Sequence, residues 1–258
     1  MMTAGSEGSV VHADADEFIH RHPVDHRGTL LVRALTRGRP VMLQVRTGTE
    51  SIGYLVASAE QLDTATAAFL IGHTDGFICV AMESDELDRL HLPPMATFNE
   101  AADGANYTIT VDAVEGVGTG ISAHDRACTI RALAAADTAP GNLTRPGHVL
   151  PVRVGCASVE HWGAADAAVA MTRLAGLRHA AAYAPILNDR GDIADHRQLA
   201  AMAEQFDLLW IAGESLRSDA VELGDSGPHT LDTRGGRFQA YEYWSPVDRA
   251  TRVAFSLQ

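Results

Sequence analysis

The sequence predicts an α+β fold built on a mixed sheet with flanking helices. Three observations predict it. Apolar runs of strand length are interspersed with helical periodicity, without the strict strand–helix–strand repeat of a parallel α/β protein. The chain has 258 residues, enough for one good-sized core or two small ones. Its 46% hydrophobic and 21% charged residues are the proportions of an ordinary globular protein.

The elements follow in order. Residues 1–27 carry Gly, Ser, Asp and His with little periodicity and are expected to form an N-terminal arm, flexible or irregular. Thr29 to Leu35 has helical spacing with Gly38 as its stop, and Val41 to Val45 predicts a buried strand. Ser58-Ala-Glu-Gln61 has capping-box spacing for a helix running through Leu70. Gly76 breaks it, and Phe77 to Ala81 predicts a second buried strand. Tyr107 to Asp112 alternates as a strand with one exposed face, and Asp125 is placed to cap a helix carrying Thr129 to Ala136. Ala164 to Leu174 is an alanine-rich helix ending at Gly176. Ala181 to Leu187 predicts a strand, Asn188 to Gly191 a turn, Gln198 to Phe206 a helix and Leu208 to Ile211 a short strand. Residues 218–230 are acidic and Gly/Ser/Pro-containing, a linker. Phe238 to Trp244 and Thr251 to Ser256 flank a Ser-Pro-Val-Asp turn, a β-hairpin within 231–258.

Composition excludes several functions. No run of eighteen apolar residues exists, so no membrane span or membrane partner is expected. No basic region precedes an apolar segment at the N-terminus, and Cys79, Cys128 and Cys156 are too scattered for a disulfide framework or a paired-cysteine zinc site; both point to the cytoplasm. The net charge of −13 argues against nucleic acid. The chain contains no lysine, its 20 basic residues all being arginine, which rules out lysine Schiff bases, pyridoxal phosphate attachment and a P-loop lysine.

The densest chemistry lies in Gly118-Thr-Gly-Ile-Ser-Ala-His-Asp-Arg126 and Asn142-Leu-Thr-Arg-Pro-Gly-His148-Val-Leu-Pro151. Glycines, the hydroxyls of Thr119 and Ser122, charged residues and His148 recur there more often than packing requires. With Asp75-Gly-Phe-Ile-Cys79, Tyr107-Thr-Ile-Thr-Val-Asp112, Leu174-Ala-Gly176 and Asn188-Asp-Arg-Gly191, these motifs resemble the 3,4-dihydroxy-2-butanone 4-phosphate synthase family over about Thr29 to Arg217. The resemblance implies that family's mixed-sheet fold for residues 28–217. It also implies a homodimer with sites at the subunit interface, and a reaction that enolises ribulose 5-phosphate and expels formate. Such a reaction calls for a divalent cation, acid and base groups, and a phosphate site. Thr233 to Tyr241 resembles the opening strand of GTP cyclohydrolase II, without that enzyme's zinc-binding cysteines, so the end of the chain is expected to be a remnant of it.

Departures from the family pattern shape the functional expectation. Where the family has a very acidic loop, this chain has Val45 to Tyr54. Glu50 keeps the metal-binding glutamate, while Thr49, Ile52 and Tyr54 replace an arginine, a glutamate and an aspartate. In the family's phosphate-gripping run, His161 stands for the arginine, Ala164 for the metal-binding histidine and Ala165 for a threonine. Pro185 falls on a family glutamate, and His148 keeps the essential histidine. One carboxylate is a poor cage for magnesium, and imidazole holds a dianion less well than guanidinium.

These replacements predict an enzyme with altered, metal-independent acid/base chemistry: a lyase, isomerase or cyclisation catalyst in specialised metabolism. Its substrate would be a small, less phosphorylated molecule. Glu50 and His148 would be catalytic. Tyr54, Cys79, Thr119, Ser122, Arg145, His161, Trp162 and Asp166 would line the substrate. No cofactor is expected, with magnesium only if Glu50 still binds it. Blander roles stand beside these: His148 as an interface histidine, Cys79 as an inert buried thiol, Asp166 as a solvated helix-start acid, and Asp125 with Arg126 as an ion pair and cap. Two alternatives remain for the whole chain: a catalytically silent homologue binding a ligand or partner, and a genuine synthase of riboflavin biosynthesis.

Overall fold

The computed structural model describes residues 26–47, 50–101, 104–154, 162–219, 222–223, 229–233, 236–245 and 250–257. Residues 1–25 of the N-terminal arm and His161 therefore lie outside the described residues, as does most of the expected linker.

An eight-stranded mixed sheet forms the centre. Its strands are β1 (Val41–Thr47), β2 (Glu50–Ser58), β3 (Cys79–Glu83), β4 (Asn106–Tyr107), β5 (Val111–Ala113), β6 (Leu143–Val154), β7 (Ala180–Pro185) and β8 (Trp210–Ala212). The order is β4-β6-β3-β7-β2-β1-β8, with β5 also paired to β6. β3 runs parallel to β6 and β1 to β8; β1–β2, β2–β7, β3–β7, β4–β6 and β5–β6 are antiparallel. This is the α+β mixed sheet that the irregular order of elements predicts.

The period-two alternation of the strands separates two cores. Val80 and Met82 face one side with Met42, Leu55 and Ala182, under α2 (Thr64–His73), α4 (Ala123–Ala134) and α6 (His196–Gln205). Cys79 and Ala81 face the other side with Leu43, Val56, Val152 and Ala181, under α1 (His26–Thr36), α5 (Ala164–Leu174) and α7 (Gly213–Asp219). The short α3 (Ser84–Arg89) leaves the end of β3. Among the described residues no helix is long and apolar enough to cross a membrane.

Several expected elements are corrected. β2 occupies the stretch read as a loop, and its outer residues are exposed while Gly53 and Leu55 to Ser58 are buried. Ser58 ends that strand, and the following helix is capped by Asp63, whose carboxylate accepts from Thr66 N at 2.7 Å. α4 is capped by Ser122; Asp125 lies inside its first turn. The expected strand from Tyr107 to Asp112 is split into β4 and β5. In the C-terminal part, β11 (Gly236–Ser245) pairs antiparallel with β10 (His229–Thr233), β12 (Ala250–Leu257) and β9 (Glu222–Leu223).

An ion cluster fastens the distal end of β3. Glu83 accepts from Arg173 of α5, with Nε at 3.0 Å, and pairs with His179 Nδ1 at 2.9 Å just before β7. Burial alone would raise the Glu83 carboxyl, but the His179 hydrogen bond and the Arg173 charge outweigh it and hold the pKa at about 2. Its stabilising contribution is therefore complete above the unfolded value of 4.5 and is lost as pH falls through about 2. Glu83→Gln removes the carboxylate that the half-buried Arg173 and His179 share. It should cost about 2–4 kcal/mol in urea unfolding at pH 7, and the gap from wild type should shrink as the pH is lowered below about 4.

Candidate active site

The proximal end of the same strands gathers most of the candidate residues. Cys79 opens β3 opposite Leu150 of the parallel β6 and Tyr183 of β7. His148 lies two residues before Leu150, and Tyr54 of β2 faces Pro185, two residues past Tyr183. Glu50 begins β2 at that end. Trp162 and the first residues of α5, Ala164 and Ala165, belong to the same core cluster as Cys79.

His148 is the best-ordered reactive group. Asp112 of β5 accepts from the His148 backbone N at 2.9 Å with Oδ1 and from Nδ1 at 2.7 Å with Oδ2. A carboxylate can only accept, so Nδ1 carries the proton and Nε2 is the acceptor. Nε2 has no hydrogen bond among the described residues, and the imidazole is 42% exposed while Asp112 is 12% exposed. The arrangement is a buried orienting acid behind an accessible base.

Two glycines make this contact possible. A Cβ on Gly147 would stand 2.0 Å from the Val111 carbonyl carbon, and one on Gly120 would stand 2.1 Å from Asp112 Oδ2 and 2.5 Å from His148 Nδ1. Gly120 also has φ +83°, which a side chain would strain. Its amide donates to Asp125 Oδ2 at 2.9 Å, and Ser122 Oγ accepts from Asp125 N at 3.0 Å. Burial pushes the Asp125 carboxyl up, but the Gly118 and Gly120 amides and the Ser122 hydroxyl hold it below the usual range. The expected Asp125–Arg126 ion pair does not form, because neighbouring helical residues face different ways. Arg126 instead donates through Nη1 to Gly76 O at 2.5 Å.

The remaining candidates fall into two groups. Glu50 and Thr119 are exposed at the proximal end. Glu50 and His148 are separated by β3 and β7, on the order of 14 Å at ~4.8 Å per strand, so one chain does not bring them into contact. Tyr54 and Trp162 pack against the second core beside Tyr183, and Cys79 is buried there too. Asp166 accepts from Gly163 N at 3.0 Å, capping α5. Arg145 turns away, giving its guanidinium to the carbonyls of Leu90, Pro140 and Leu143 at 2.7 to 3.0 Å. Among the described residues, no group of three or more Asp, Glu, His or Cys is clustered to hold a metal, so these residues do not by themselves build an ion cage. The sequence reading quoted Asp112 and Gly120 within motifs but gave them no place in the site. Asp112 is 36 residues from His148, and nothing local in the sequence marks their meeting.

Comparison with known proteins bears on these features. Residues 30–218 match the family model described as 3,4-dihydroxy-2-butanone 4-phosphate synthase. The riboflavin biosynthesis protein RibBA of Salinispora arenicola is 40% identical over 85% of this chain, and that of Rhodococcus erythropolis 36% over 86%. Each match covers 54% of the relative, so the chain spans about half the length of these curated relatives. A solved 3,4-dihydroxy-2-butanone 4-phosphate synthase in complex with two magnesium ions is 32% identical with a TM-score of 0.68, covering 73% of this chain and 94% of that one. The two-domain synthase RibBX of A. baumannii is 29% identical with a TM-score of 0.73, covering 90% and 70%.

The expectation of altered chemistry on a less phosphorylated substrate in specialised metabolism is corrected by these relatives, which favour the riboflavin alternative. Tyr54 and Trp162, read as lining the substrate, are half-buried and pack against the second core.

Gly120→Ala should lower the melting midpoint and release His148 Nδ1 from Asp112. The measurements are thermal unfolding and the low-field imidazole N–H proton in NMR; an unchanged proton signal would show that the glycine is not required for the contact.

Proposed function

Because the chain belongs to the 3,4-dihydroxy-2-butanone 4-phosphate synthase family, we propose that it converts ribulose 5-phosphate to 3,4-dihydroxy-2-butanone 4-phosphate and formate on the route to riboflavin. The observation that carries this is the pairing of family membership along residues 30–218 with an accessible His148 oriented by Asp112. Enolisation removes a proton from a carbon next to the carbonyl. An imidazole with its free nitrogen toward solvent and its other nitrogen held by a carboxylate is suited to that task.

The phosphate is proposed to lie at the proximal end of the sheet, where α4 and α5 both begin. Glu50 is proposed as a further acid/base group from the rim. A second copy of the chain is proposed to complete the site. Phe77 and Ile121, apolar and more than half exposed beside the proximal loops, support a covered surface there. A solved relative carries two magnesium ions. The described residues of this chain cluster no such ligand set, so no step is assigned to a metal here.

The test is formate release from ribulose 5-phosphate, with and without added magnesium, together with growth of a riboflavin-requiring strain carrying the gene. Formate formed in step with sugar phosphate consumed, and restored growth, are expected. Neither occurring overturns the proposal. His148→Gln should lower kcat by about 100-fold or more, and Asp112→Asn by at least about tenfold, with KM changed less.

A further inference from the structure

Arg126 of α4 is the one buried arginine among the residues whose side chains are described, at 7% exposed. Its Nη1 donates to Gly76 O at 2.5 Å, while its Nε is buried with no hydrogen bond. Burial lowers its pKa, and no carboxylate among the described residues pulls the other way. The neighbouring Asp125 is taken up by the Gly118 and Gly120 amides. The half-buried Arg153 and Arg173 differ, since they hold Asp88 and Glu83. A cation withdrawn from water without a counter-ion is strongly unfavourable. A single chain therefore folds with one anion missing from its interior.

Arg126 is fixed at two points, and an exposed apolar side chain stands beside each. Its guanidinium meets Gly76 O, and the next residue, Phe77, is 57% exposed. Its backbone N donates to Ser122 O at 2.9 Å, and the preceding residue, Ile121, is 54% exposed. A charged anchor ringed by apolar groups that shut out water is the usual make-up of a protein–protein hot spot. A small anion alone would leave Phe77 and Ile121 in solvent.

The chain itself carries the complementary group. Glu50 to Ile52 of β2 pair only with β1, because the register with β7 begins at Tyr54. That stretch of hairpin runs past β7 at the proximal end. Glu50 is exposed on it and has no ion pair or hydrogen bond among the described residues. One end of the molecule thus presents a cation without an anion and an anion without a cation, and one chain does not join them. A two-fold contact is reciprocal, so what each copy offers the other receives. Two chains of net charge −13 repel at long range, and a specific contact between them needs a cation where they meet.

We propose that Arg126 is the buried anchor of a contact between two copies of this chain, taking a carboxylate of the second copy inside a rim formed by Phe77 and Ile121. The assignment rests on the reading above that a second copy completes the site, and it names the side chain that holds that copy in place.

The absence of lysine permits a clean test on the full chain. Arg126→Lys puts the only side-chain amine of the chain at this position. A water-soluble carbodiimide joins an amine to a carboxylate in contact with it, forming an amide and taking up the released water as a urea. A covalent dimer is expected in Arg126→Lys and not in wild type. Mixed light and heavy-nitrogen copies then show by peptide mass whether the link crosses between chains. A link to any carboxylate of the other copy supports the anchor, with Glu50 the one expected; links confined to one chain overturn it. By sedimentation, Arg126→Gln should raise the dimer dissociation constant by about 30-fold or more, and Phe77→Asp should also weaken the dimer. Phe77 is exposed in the single chain, so Phe77→Asp keeps the test valid should Arg126→Gln fail to fold. Wild-type dissociation in both variants overturns the proposal. So does a monomeric wild type that inorganic phosphate stabilises against heat through Arg126, which would make the missing anion a small one. A monomeric wild type that still releases formate would remove the second copy from the site and leave the synthase reading intact.

Discussion

The approach of β5 to β6 at Gly147 is the constraint on which the site depends. With no side chain at Gly147, the Val111 backbone comes close enough for Asp112 to reach both the amide and the ring of His148. That double grip sets the imidazole's tautomer and direction without a third residue. It also explains why Gly120 must be bare, because the loop before α4 closes over the same carboxylate. Sheet pairing, helix cap and the His148 imidazole are thus one connected object. Asp125 links the cap to the loop, the loop covers the acid, and the acid aims the base.

How much of this could be read from the sequence depends on how local each signal is. The α5 helix over Ala164–Leu174 was legible to the residue, because alanine, a leading Asp166 and a closing Gly176 are contiguous signals. β2 was not, because Glu50 and Ser51 are polar and exposed and only pairing with β1 and β7 makes the segment a strand. Ser58 showed capping-box spacing yet ends a strand, since burial within the sheet overrides a local cap. His148 was legible as a reactive candidate from its motif. Its partner Asp112 was not, because the contact is made by tertiary folding alone.

The functional correction follows the same logic. Substitutions in an inherited motif were read as changes to a pocket, on the assumption that every altered position faces substrate. Tyr54 and Trp162 are half-buried and pack against the core beneath α5, where apolar bulk is ordinary. Arg145, a charged residue in the most recognisable motif, holds three backbone carbonyls and so shapes the approach to His148 rather than the ligand.

The Glu83–Arg173–His179 cluster lies at the far end of β3, a strand's length from Cys79 and His148. It works as a keystone, tying strand to helix. Side chains at the opposite pole can then be exchanged one at a time while the frame stays shut. Such a division lets lineages drift at the reactive rim and keep a common architecture, and it makes the quiet end of the sheet the place where a single lost charge would be felt throughout the molecule.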